Sequence, residues 1–145
     1  MKKIDLHIHT ISTISDVNFN FDLDILETYV KTRSIDAIAI TNHNLFDIEQ
    51  FKKISTRLSF ITVFPGIEIN IGENCGHMLV ISTPTDIEDF SQRCNKVQQK
   101  VMQPNDYLTL QEFKNIFGNL HRYLIIPHYY KKTCVDKNIV RELKN

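Results

Sequence analysis

No stretch of this sequence stays apolar for the roughly 20 residues that a membrane helix needs. The opening MKKIDLHIHT has two lysines but lacks the apolar segment of a secretion signal. Net charge is lacking too: 17 Lys and Arg balance 17 Asp and Glu. A nucleic-acid partner usually needs a concentrated basic surface, so charge gives no reason to expect one. A metal site could still bind a phosphate through its own charge. Cysteine is sparse: Cys75, Cys94 and Cys134 are widely spaced and form no CxxC pair. That argues against both a disulfide framework and a thiolate zinc site. Free thiols fit a reducing compartment, and a cytoplasmic location is the expectation. Repeats, low-complexity segments and linkers are also missing, so the 145 residues are expected to form one domain with a sizeable core.

What is present is an alternation of short apolar runs with amphipathic stretches. Lys3 to Ile8 reads as a strand, Asp22 to Arg33 as a helix, and Asp36 to Ile40 as a strand apolar enough to be buried on both faces. Asp47 to Leu58 reads as a helix opened by a capping pair, Asp47 and Gln50. Phe60 to Ile71 is extended and Met78 to Ser82 is a strand. Ile87, Phe90, Cys94, Val97 and Val101 then repeat at helical steps. Thr109 with Glu112 forms a capping box for a further helix that Gly118 closes. Tyr123 to Ile126 is a last strand, and a helix is expected from Asp136. The pattern predicts an α/β fold with a largely parallel sheet and about five strands.

The chemistry gathers at strand edges. Asp5, His7 and His9 alternate on one strand face, and two imidazoles at i and i+2 suit chelation of one ion better than a solvated face. His43 follows an apolar strand in Ile-Thr-Asn-His-Asn; taken alone, a loop histidine is more often an ordinary polar residue. Glu68 alternates against Ile67 and Ile69, and its two oxygens could bridge two ions, which an imidazole cannot do. His77 precedes a strand and His128 ends one. The loop 72–76 could make a hairpin that brings His77 back beside the preceding strand. His121, beside Arg122, reads as a surface residue.

Asp-Leu-His-Ile-His-Thr, Ile-Thr-Asn-His-Asn, Pro-Gly-Ile-Glu-Ile and Pro-His, in that order, resemble the PHP family, the polymerase and histidinol phosphatase group of metal-dependent phosphoesterases. The resemblance runs from residue 3 to about 132. It implies a distorted (β/α)7 barrel, here a partial one, with up to three divalent ions. By that resemblance His7 and His9 bind the first ion and Glu68 bridges to the second. His77 and His128 complete the second, and Asp16 with His43 serves the third. Two departures stand out. Asn42 replaces the aspartate usual before the histidine, a loss expected to weaken orientation rather than abolish binding. The closing Asp-x-His is missing: past His128 the only acids are Asp136 and Glu142, with no further histidine. The chain is thus expected to match the first two-thirds of such a domain.

The resemblance implies hydrolysis of a phosphate mono- or diester by metal-activated water, on a small molecule or a nucleic-acid end. Zinc, manganese or iron suits an imidazole-rich site; two ions are expected and a third only weakly. Lys131 and Lys132 are candidates to meet the substrate phosphate, although a solvated basic pair is the commoner case. The alternative is a PHP-like structural or interaction module with impaired catalysis, such as part of a larger nuclease or ATPase. An open sheet edge predicts a homodimer, or further chain covering that edge.

Overall fold

Aspartate and threonine caps open the helices where the sequence places them. The Asp22 carboxylate accepts from the backbone N–H groups of Asp24 and Ile25, and Asp47 accepts from that of Gln50. Thr109 and Glu112 complete both halves of a capping box. The computed structural model describes residues 1–130 and 132–144. Within them lie β1 (Ile4–Ile8), α1 (Leu23–Arg33), β2 (Ala37–Ile40), α2 (Ile48–Arg57) and β3 (Thr62–Ile71). They are followed by β4 (Gly76–Ile81), α3 (Ile87–Lys100), α4 (Leu110–Phe117), β5 (Leu124–Pro127) and α5 (Lys137–Lys144). None of these helices is long and apolar enough to cross a membrane.

The result is a mixed α/β fold whose five strands form a half-barrel sheet in the order β1-β2-β3-β4-β5, flanked by helices. The sheet is less parallel than expected. β1, β2 and β3 pair in parallel, but β3–β4 and β4–β5 are antiparallel. The cause is the short turn at Gly72–Cys75, which has no room for a crossover helix and sends the chain straight back. Gly72 (φ +78°) and Cys75 (φ +49°) both take left-handed backbone in that turn. It is the hairpin anticipated for His77, and its register sets Asn70 opposite His77.

Ile38, Ala39 and Ile40 are fully covered, as an all-apolar strand requires. Ile67, Ile69 and Ile71 of β3 pack into a core with Phe90 and Val97 of α3 and Phe113 and Phe117 of α4. The opposite face of β3 is equally buried yet polar, with Glu68 at 1% and Asn70 at 2% exposure. Such burial of a charge requires paired partners. Gly66 lets β2 approach β3 here: a Cβ would lie 2.8 Å from the Thr41 methyl.

Cys94 belongs to the core, and burial pushes its thiol well above the ordinary range. Cys75 and Cys134 are only half-buried. A water-soluble disulfide reagent is expected to titrate two thiols in the native protein and the third only after denaturation. Three thiols reacting at one fast rate would contradict the packing of α3.

Candidate metal centre

Topology brings the polar motifs to one rim. β1, β2, β3 and β5 run in the same direction, so His9, His43 and His128, just past the ends of β1, β2 and β5, collect there with His7. β4 runs the other way, which returns His77, near its start, to the same rim. The Asn42–Asn44 segment extends the β2 ladder along β3. The Glu68 N–H donates to the Asn42 carbonyl at 2.9 Å, and the Asn44 N–H donates to the Glu68 carbonyl at 2.7 Å. Asn44 then turns the chain away in left-handed backbone (φ +52°), its side-chain oxygen accepting from the Asn70 N–H at 2.9 Å.

Five imidazoles close a ring around the Glu68 carboxylate. Their centroids step from His7 to His9 (5.0 Å), to His43 (4.5 Å), to His77 (5.1 Å), to His128 (5.6 Å) and back to His7 (5.1 Å). Glu68 Oε2 lies 2.9 Å from His7 Nε2, 2.7 Å from His9 Nε2 and 3.4 Å from His43 Nδ1. Oε1 lies 3.1 Å from His77 Nδ1 and 3.3 Å from His128 Nε2. Asp16 joins from the loop after β1, with Oδ1 3.3 Å from His9 Nδ1 and 3.5 Å from His43 Nε2. The structure thus brings together all seven candidate ligands named from the sequence. Lys132 is exposed and stands outside the ring. Lys131 lies outside the described residues. His121 is exposed, as a surface residue should be. Asp5 shares the strand but not the site; its carboxylate accepts from the Tyr29 hydroxyl at 2.8 Å.

The charges follow from this packing. Burial alone would raise the Glu68 carboxyl, but the imidazoles of His7, His77 and His9 outweigh it and hold the group ionised far below the usual carboxylate range. Burial would lower His9; contacts with Glu68 and Asp16 reverse that and raise it. Burial dominates at His43 and His128, which are lowered and so favour the neutral, ligating form. Asp16 is lowered against its own burial by the Thr13 N–H and hydroxyl, which donate to Oδ2 at 2.8 and 2.7 Å.

The donor set fits divalent metal. Two donors held at about 2.1 Å by one tetrahedral ion lie about 3.3 Å apart, close to the spacings above. Among the described residues, three groups bring one ligand atom from each member within 4.8 Å of the others: His7, His9 and Glu68; His9, Asp16 and His43; His43, Glu68 and His77. Glu68 Oε1 and His43 Nδ1 are buried without a hydrogen-bond partner, although nitrogens or oxygens stand within 3.4 Å. A cation shared with the neighbouring imidazoles would satisfy both atoms.

Thr133 and Gln50 were not legible as supporting residues in the sequence, whereas Asn42 was expected to stand at an orienting position. Thr133 Oγ1 lies 3.2 Å from His128 Nδ1, which leaves Nε2 for Glu68. The Thr133 carbonyl accepts from the His77 N–H at 2.9 Å. Asn42 Oδ1 accepts from the N–H groups of Thr10 (2.6 Å) and Ile11 (2.9 Å), pinning the chain just past His9. Gln50 completes this clamp by donating to the Thr10 carbonyl at 3.0 Å, not by capping its own helix. Asn42→Ala would strand one buried and one part-buried donor and is expected to cost roughly 2–4 kcal/mol in urea unfolding. Asn42→Asp keeps both acceptor contacts and should stay within about 1 kcal/mol of the parent. Equal losses in the two variants would show that the clamp is unimportant.

No family model matches the chain, and no curated protein matches it. Among solved structures, the chain is similar to a Bifidobacterium adolescentis protein described as a "putative metal-dependent phosphoesterase", at 17% identity with a TM-score of 0.46. The alignment covers 68% of this chain and 34% of that one, so the chain spans about a third of that protein's length. A likeness this distant carries nothing about chemistry, which rests on the site itself.

Proposed function

We propose that the chain is a divalent-metal phosphoesterase of the PHP type, a partial (β/α)7 barrel in which residues 1–145 act as one domain. The observation that carries this is a single buried carboxylate whose two oxygens face different imidazoles: Oε2 meets His7, His9 and His43, and Oε1 meets His77 and His128. His7, His9 and Glu68 would hold one ion, and Glu68, His77 and His128 a second. With His9 committed to the first ion, Asp16 and His43 offer a third only two donors of their own. Zinc, manganese or iron suits these ligands better than magnesium. Such ions supply Lewis acidity, acidifying water and neutralising charge on phosphoryl oxygens. The protein's part is orientation. Glu68 stays ionised and fixed, Thr133 and Asn42 hold the histidine rim, and Asp16 aligns His9 and His43. No serine or cysteine nucleophile is required.

The test is elemental analysis of the metal-supplemented protein together with hydrolysis of p-nitrophenyl phosphate. Bound transition metal and weak turnover, stimulated by manganese or zinc and lost in His9→Ala, are expected. No retained metal would sink the proposal. Metal without turnover would favour the PHP-like interaction module, a reading supported by the sparse donors for a third ion.

A further inference from the structure

Beside the histidine ring lies a cavity of about 380 Å³, the size of small-ligand pockets. His43 belongs to both, so the cavity opens directly onto the proposed metal centre. Its walls come from the loop after β1 and from the C-terminal end of α3, and they are mainly apolar: Ile11, Ile14, Leu45, Val101 and Met102. Hydroxyl and amide groups and the His43 imidazole make up the remainder. Among the described residues, no lysine, arginine, aspartate or glutamate lines it. Ile14 and Met102, which both line it, are 63% and 66% exposed and leave apolar surface in contact with water.

We infer that this cavity receives the leaving group of the phosphoester, and that this group is uncharged, largely apolar and the size of one or two fused rings. The inference rests on the phosphoesterase reading, since the phosphoryl end must lie at the metal centre. A second phosphate or a carboxylate placed here would lose its hydration with no cation to replace it. A neutral ring system would instead cover Ile14 and Met102 and remove apolar surface from water. The amides of Gln98 and Gln103 could still bond a hydroxyl or ring nitrogen at the margin.

The test uses the manganese-loaded protein and three non-hydrolysable phosphonates that share one head group, so that leaving-group reactivity plays no part. Calorimetric titration is expected to show 2-naphthylmethylphosphonate binding at least about 10-fold tighter than methylphosphonate or 2-carboxyethylphosphonate. Ile14→Asn and Met102→Gln, neutral polar changes at exposed positions, are expected to shrink that preference, read in each variant as the ratio of naphthylmethylphosphonate to methylphosphonate affinity. All three phosphonates binding alike, or a preference that both substitutions leave unchanged, would overturn the cavity's role alone. Failure of every phosphonate to bind the metal-loaded protein would overturn the phosphoesterase reading with it.

Discussion

Glu68→Ala is expected to remove tightly bound metal and to lower phosphatase activity roughly 1,000-fold, about 4 kcal/mol in the barrier. Glu68 lies within 3.4 Å of all five imidazoles, and it is 1% exposed. Without it, two ions would face each other across neutral ligands alone, and their repulsion would be uncompensated. Glu68→Gln keeps the shape and removes the charge, so it separates packing from electrostatics. It should fold and still lose the metal. The metal-free proteins carry a second signature. The folded Glu68 carboxyl titrates far below its ordinary 4.5. A depressed carboxylate contributes stability that is present above the unfolded value and is lost as the folded group protonates. The stability advantage of the parent over Glu68→Gln should therefore shrink as pH falls from about 5 toward 2, read by urea unfolding. Activity and metal content that survive in Glu68→Ala would show that the site has been misassigned.

The sequence carried much of the local structure because local structure has local causes. The period-two pattern at His7 and His9, the period near 3.6 through Phe90, Cys94 and Val97, and the Thr109–Glu112 box each need only a few neighbouring residues. The direction of β4 was half legible, since the glycine-bounded turn implied a hairpin while the strand–helix alternation implied a parallel sheet. His7, His9, Glu68, His77 and His128 were visible because polar groups at strand edges are chemically conspicuous, whereas Asp16 and the ligand role of His43 came only through the family resemblance. Their support was largely hidden. Gln50 and Thr133 act through contacts 40 and 5 residues away in sequence, and nothing in their own neighbourhoods announces a partner; the family resemblance marked Asn42 as an orienting position but not its partners, Thr10 and Ile11. Asn44 left the one readable trace: asparagine tolerates left-handed backbone, and Asn-His-Asn after an apolar strand is a place for it.

Metal addition should raise the melting temperature by about 10 °C when the free ion exceeds its Kd roughly 1,000-fold. One such site contributes about 4 kcal/mol, and a chain of this size gains about 2–4 °C per kcal/mol. Chelation should reverse the shift. The variants rank the ligands. His9 serves two of the three donor groups, facing Glu68 through Nε2 and Asp16 through Nδ1. His9→Ala is therefore expected to lose most of the shift and at least one equivalent of tightly held metal. Asp16→Asn is expected to be milder. Asp16 stands where it can orient His9 from behind, and a carboxylate in that position typically changes metal affinity about 10- to 100-fold. That corresponds to about 1.4–2.7 kcal/mol, or roughly 3–7 °C of the shift at the same conversion. The sharper measurement is stoichiometry. If Asp16 only orients His9, Asp16→Asn weakens binding but leaves the number of ions at saturation unchanged. If Asp16 and His43 hold an ion of their own, Asp16→Asn removes one equivalent. A melting temperature indifferent to zinc and manganese in the parent protein would leave the histidine ring without its proposed occupant.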